Sequence, residues 1–118
     1  MGEPPDAAAP ERVMSIYKQY LDLIASGTKT VEVRVGYPSM RRIAAGQLIR
    51  FVSGDEECLT RVTRVTEYPS FAAMLHQEDP TAIGASGGRE ELLNEIRKIY
   101  PPEKESLGVL AIEVAREA

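Results

Sequence analysis

The sequence predicts an α+β domain in which a small, strongly bent sheet or barrel is flanked by helices. Three observations carry that expectation. Residues 30–35 alternate strictly between apolar and polar side chains, residues 47–66 read as a hairpin, and the apolar segment 107–114 reads as a final strand beyond two helical segments. Strands distant in sequence must therefore lie side by side. At 118 residues the chain can bury roughly two thirds of its unfolded surface, enough for a core without disulfides or a structural metal.

Residues 1–11 hold Pro4, Pro5 and Pro10 around three alanines and are expected to form a disordered lead, with one domain over residues 12–118. Val13, Met14 and Ile16 suit a short first strand. Tyr20, Leu21, Leu23 and Ile24 then recur at helical spacing and stop at Gly27, a C-terminal cap. The strand at 30–35 places Val31, Val33 and Val35 on one face and Thr30, Glu32 and Arg34 on the other. By the same parity Lys29 belongs with the valines, so it joins Glu32 only if the strand begins at about Thr30 or bends there.

Gly36, Pro38 and Gly46 bracket a connection, after which Gln47–Ser53 turns at Gly54-Asp55 into Leu59–Thr66. Ser70 is a good N-cap for a helix through Leu75, with Phe71, Met74 and Leu75 on one face. Gly84–Gly88 reads as a flexible link that lacks the lysine of a P-loop. Leu92, Leu93, Ile96 and Ile99 mark a helix over Arg89–Tyr100, ended by Pro101-Pro102.

The formal charge of −4 speaks against a phosphate-rich partner, but its distribution does not. Residues 1–11 carry −3, residues 12–66 carry +4 and residues 67–118 carry −5. The basic middle contains Lys29, Arg34, Arg41, Arg42, Arg50, Arg61 and Arg64, which suggests an anionic ligand; the alternative is ordinary solvated charge. Tyr37 and Tyr68 flank the basic strands and can either stack on a base or cover a core edge.

A single histidine, His76, and a single cysteine, Cys58, cannot form a Cys/His zinc site, so neither metal nor cofactor is expected. His76 suits a surface or capping role, and Cys58 a free thiol within a strand. The first ten residues lack the basic start and apolar run of a signal peptide, and no apolar stretch reaches the ~20 residues of a membrane helix. A cytoplasmic protein with no membrane partner is the expectation.

The most specific pattern is Gly27-x-Lys29-x-x-Glu32-x-Arg34, which falls where a helix gives way to a strand. Average residue usage produces it by chance on the order of once per thousand chains of this length. Glu32 and Arg34 can instead form an exposed ladder pair worth under ~1 kcal/mol. With this motif, with Ile43–Phe51, with Tyr68-Pro-Ser-Phe71 leading to Met74, Leu75 and Glu78, and with Gly108–Ile112, the sequence resembles the ASCH (activating signal cointegrator homology) domains of the PUA-like group. Gln47 stands where an aspartate is common in that family.

The resemblance implies a PUA-like β-barrel of about five to six strands with two to three helices, and a cleft beside the motif strand for RNA or a modified nucleoside. Lys29, Glu32 and Arg34 would line the cleft, with Arg41, Arg42 and Arg64 contacting phosphate at its rim and Tyr37 and Tyr68 stacking nearby. One bacterial branch resembles an amidohydrolase of N4-acetylcytidine that uses a lysine, a threonine and a glutamate. Lys29 matches the lysine as base or oxyanion stabiliser, Glu32 occupies the threonine's place, and Glu78 is a counterpart of the glutamate; other members are described as nucleases. From another class comes a protein-interaction reading, in which Glu90, Glu91, Glu95, Glu103 and Glu105 dock a basic partner; the alternative is a solvated helix face.

Overall fold

A computed structural model describes residues 11–117. Its strands are β1 (Arg12–Ser15), β2 (Val31–Val35), β3 (Leu48–Ser53), β4 (Glu56–Tyr68) and β5 (Val109–Arg116). Its helices are α1 (Lys18–Ser26), α2 (Phe71–Gln77), α3 (Pro80–Ile83) and α4 (Arg89–Ile99), with 3₁₀ turns at Met40–Arg42 and Pro102–Leu107. Of the expected lead at residues 1–11, residues 1–10 lie outside the described residues. Glu11 pairs with Arg50 across 2.8 Å. No described helix is long and apolar enough to cross a membrane.

The five strands form one half-barrel sheet in the order β1-β3-β4-β5-β2, with β1 parallel to β3 and the other pairs antiparallel. β4 runs for thirteen residues and bends at a bulge between Val62 and Arg64. β5 lies between β4 and β2 with both faces covered, which is why its sequence is an almost continuous apolar run. Leu110, Ile112 and Val114 enter one core with Met14, Leu21, Ile24 and Phe51. Val109 and Ala111 enter a second core with Val31, Val35, Phe71, Met74 and Ile96. The sheet therefore carries α1 on one side and α2, α3 and α4 on the other.

Local chemistry sets the helix ends. Gly27 adopts φ 87° and returns its N–H to the Ile24 carbonyl, a left-handed cap that a β-carbon would strain. The Ser70 side chain accepts from the Ala73 N–H at 3.0 Å, and α4 stops at Tyr100 where two prolines follow. His76 is exposed in the last turn of α2, and Cys58 is a half-buried free thiol of β4 opposite Phe51. Glu90, Glu91 and Glu95 lie on the exposed side of α4.

β2 is an edge strand with one free side. The Val114 N–H donates to the Thr30 carbonyl (2.8 Å) and the Gly36 N–H donates to the Gly108 carbonyl (2.9 Å). These bonds put the main chain of the even-numbered residues toward β5, so that the odd-numbered N–H and C=O groups turn the other way.

Gly36 ends this strand with no room for a side chain. A β-carbon there would stand 2.6 Å from the Leu107 carbonyl oxygen and 2.9 Å from Arg41 Nη2. Because the carbonyl is backbone, Gly36→Ala is expected to destabilise the fold by about 1–3 kcal/mol in chemical denaturation. An unchanged midpoint would show that the 102–108 segment yields freely.

Candidate functional site

Lys29 sits between Gly27 and the first residue of β2, outside the strand's alternation. Because β2 begins at Val31, the side chain passes round the strand end and reaches Glu32 despite its parity with the valines. Only 4% of Lys29 is exposed. Its Nζ donates to the carbonyls of Val31 (2.6 Å) and Ile83 (2.5 Å) and lies 3.2 Å from Glu32 Oε1, so its three protons have three acceptors. Burial pulls the Lys29 amine below its usual range, and the Glu32 carboxylate opposes that shift.

Glu32 is also buried, and its second oxygen accepts from Arg34 Nε at 2.6 Å. Arg34 Nη2 in turn donates to the Ser15 carbonyl at the end of β1 (3.2 Å). β1 and β2 are the two edges of the half-barrel, so this chain of charges spans its open seam. The seam forms a cleft of about 400 Å³. Its floor is Lys29, Glu32, Val33 and Arg34; Tyr17, which caps α1, and Tyr20 of α1 face it from one side, and Ile83, Ile96 and Tyr100 from the other.

The walls are held as firmly as the floor. Tyr20 stands with its ring centre 5.6 Å from Lys29 Nζ, and Tyr100 stacks on Phe71 at 5.8 Å. Burial pushes the Tyr100 hydroxyl up. Gly84 caps α3 with φ 111°, and a β-carbon there would come within 3.3 Å of both Lys29 Cδ and Tyr20 Cδ1. The residue expected in a flexible link is thus a tight junction that leaves the Ile83 carbonyl free for Lys29.

The structure brings together Lys29, Glu32 and Arg34 and leaves the other six candidates outside the cleft. Tyr37 is half-buried against the second core, with Lys104 Nζ 5.6 Å from its ring centre. Arg41 makes a bidentate pair with Glu67 (2.6 and 2.8 Å) and donates to the carbonyls of Gly36 and Leu107, so it staples loops. Arg42, on the same 3₁₀ turn as Arg41, is exposed. Arg64 grips Glu78 with two bonds of 2.9 Å and also reaches Glu113, while the Tyr68 hydroxyl donates to Glu78 at 2.5 Å.

Arg50 pairs with Glu11 and Glu57, and Arg61 with Glu117. The basic middle of the sequence is therefore matched within the fold by carboxylates, several of them from the acidic flanks. The residues that the sequence reading missed are Ser15, Tyr17, Tyr20 and Tyr100. Tyr17 and Tyr20, three apart at the start of α1, were the available signal.

The Glu78 cluster has a pH signature. Arg64 hydrogen bonding holds this buried carboxyl below its ordinary 4.5, so its contribution is present above that pH and is lost as pH falls through the lowered value. Glu78→Gln is expected to cost about 1–3 kcal/mol at neutral pH and to flatten the acid limb of stability against pH. An acid limb identical to that of the parent would contradict this role.

The ASCH domain family profile matches residues 14–117. The crystal structure of the hypothetical protein PH0355 superposes with a TM-score of 0.81 and 30% identity, covering 92% of this chain and 100% of its own. The solution structure of protein PF0455 from Pyrococcus furiosus gives 0.74 and 31%, covering 91% of this chain and 97% of that one. ZmASCH from Zymomonas mobilis, crystallised as a point mutant, shares the fold with a TM-score of 0.66 at 16% identity, over 89% of this chain and 68% of its own. No curated protein matches the sequence. The half-barrel is the ASCH/PUA-like fold, and the chain belongs to the ASCH domain family.

Proposed function

We propose that the protein binds a nucleobase, carried by RNA or by a free modified nucleoside, in the seam between β1 and β2. The observation that carries this reading is the buried Lys29–Glu32–Arg34 chain at the floor of a cleft with aromatic walls. A volume of about 400 Å³ falls within the range typical of small-molecule sites. Tyrosine rings offer stacking worth ~1–3 kcal/mol per base. Glu32 can accept from a base amino group and Arg34 can donate to a ring carbonyl. ASCH domains are generally RNA-binding, which agrees with this class of ligand.

The ion pairs argue for base recognition over backbone binding. Arg41 and Arg64 would have to leave bidentate carboxylate partners to reach a phosphate. Of the three proposed rim contacts, only Arg42 stands clear on an exposed turn.

A second reading is hydrolysis of an acylated nucleoside such as N4-acetylcytidine. The burial that lowers Lys29 favours it, because the free amine, the form that can take up a proton, becomes more available. Of the three residues put forward for catalysis, Lys29 and Glu32 share the cleft and Glu78 lies outside it. Release of cytidine from N4-acetylcytidine by the parent protein, lost in Glu32→Gln, would establish this reading; intact substrate at high protein concentration would remove it.

For the binding reading, Arg34→Ala is expected to weaken nucleoside or RNA binding by about tenfold or more, the loss of a charged hydrogen-bond donor. Arg42→Ala should stay within about twofold, and the salt slope should correspond to about two phosphates or fewer. A larger loss in Arg42→Ala than in Arg34→Ala, with a steep salt slope, would transfer the site to the loop surface.

A further inference from the structure

We infer that the main chain of Val33 is a recognition element of the cleft, reading a flat ring that carries a hydrogen-bond acceptor and donor side by side on one edge. The inference rests on the nucleobase reading and specifies which part of the base enters. Its basis is the register of β2. The bonds Val114 N–H to Thr30 O and Gly36 N–H to Gly108 O fix the even-numbered residues as the ones bonded to β5. The N–H and C=O groups of Val31, Val33 and Val35 therefore leave the strand on its free side.

At both ends of the strand the outward carbonyl is engaged within the protein. Lys29 Nζ donates to the Val31 carbonyl at 2.6 Å. The Val35 carbonyl accepts from the Tyr37 N–H at 2.8 Å. Val33 lies between them and lines the cleft, and its N–H and C=O have no hydrogen-bond partner among the described residues. Backbone groups in a half-buried site are costly to leave unmade, so a ligand that matches both gains on binding.

The two engaged ends also select the kind of ligand. A peptide strand adding to a sheet edge needs a succession of outward N–H and C=O groups. Here Lys29 takes the Val31 carbonyl at one end and the Tyr37 N–H takes the Val35 carbonyl at the other, leaving Val33 as the residue of β2 whose outward N–H and C=O are both open, between aromatic walls. One donor and one acceptor suit a cis-amide or amidine edge, as in the N3–H and carbonyl of uracil or the N3 and amino group of cytosine. Since the contact is backbone, the side chain at position 33 is not what reads the base.

The test compares uridine and cytidine with their N3-methyl and C5-methyl derivatives by calorimetric titration, and follows the Val33 amide proton by NMR. The expected result is a loss of between about fivefold and a hundredfold on N3-methylation, a change within twofold on C5-methylation, and a downfield shift of the Val33 amide on binding. Val33→Pro deletes the N–H on an outward strand edge, where proline is tolerated, and should erase the discrimination. If that variant does not fold, the amide shift of the parent protein decides. Equal binding of N3-methylated and unmodified bases, with the Val33 amide unmoved, overturns the inference and leaves base binding in the cleft intact. If no nucleoside or RNA binds, both fall.

Discussion

A buried ammonium with three acceptors organises this end of the molecule. Lys29 joins the carbonyl that ends α3, the carbonyl that begins β2 and the Glu32 carboxylate, and it packs against Tyr20 of α1. Such a charge is tolerated in the interior only when every proton has a partner. Glu32, held at one oxygen by Lys29, aims the other at Arg34, and Arg34 reaches Ser15 at the far edge of the half-barrel. The cleft therefore has a fixed floor before any ligand arrives, and binding need not order its polar groups.

The same logic explains the surface charge. Counting residues along the chain separates a +4 middle from acidic flanks, yet Glu11, Glu67, Glu78, Glu113 and Glu117 of those flanks return to pair with Arg50, Arg41, Arg64 and Arg61. Segment charge reports where acids and bases lie in sequence, whereas a bent sheet places distant strands in contact. What remains for a ligand is a polar cleft floor and not a basic groove. This favours selection of a base by shape and hydrogen bonding over electrostatic capture of a polymer.

Elements with strong local rules were legible in the sequence. The alternation at 30–35 gave β2, the Ser70 and Gly27 caps marked helix ends, and the motif gave the three charged residues of the cleft floor. What escaped depends on long-range geometry. α3 is a single turn of four residues, too short for periodicity, and the role of Gly84 follows from the approach of Lys29 and Tyr20 rather than from its glycine-rich neighbourhood. Tyr37 and Tyr68 lie beside basic strands, while the tyrosines that face the cleft, Tyr20 of α1, Tyr17 at its start and Tyr100 at the end of α4, meet only through the fold. Alternation set Glu32 on the face opposite the valines and left open an exposed ladder pair with Arg34; its burial in the seam depends on Lys29 and the walls of the cleft, which only the fold brings there.

The most direct test of the account is a crystal structure of the protein with a bound nucleoside or short single-stranded RNA. The account predicts a base lying in the β1–β2 seam between Tyr20 and Tyr100, within hydrogen-bond distance of Arg34 and of the Val33 main chain. A ligand seated on the Arg41–Arg42 turn or on the Arg64–Glu78 face, with the seam unchanged, would contradict it.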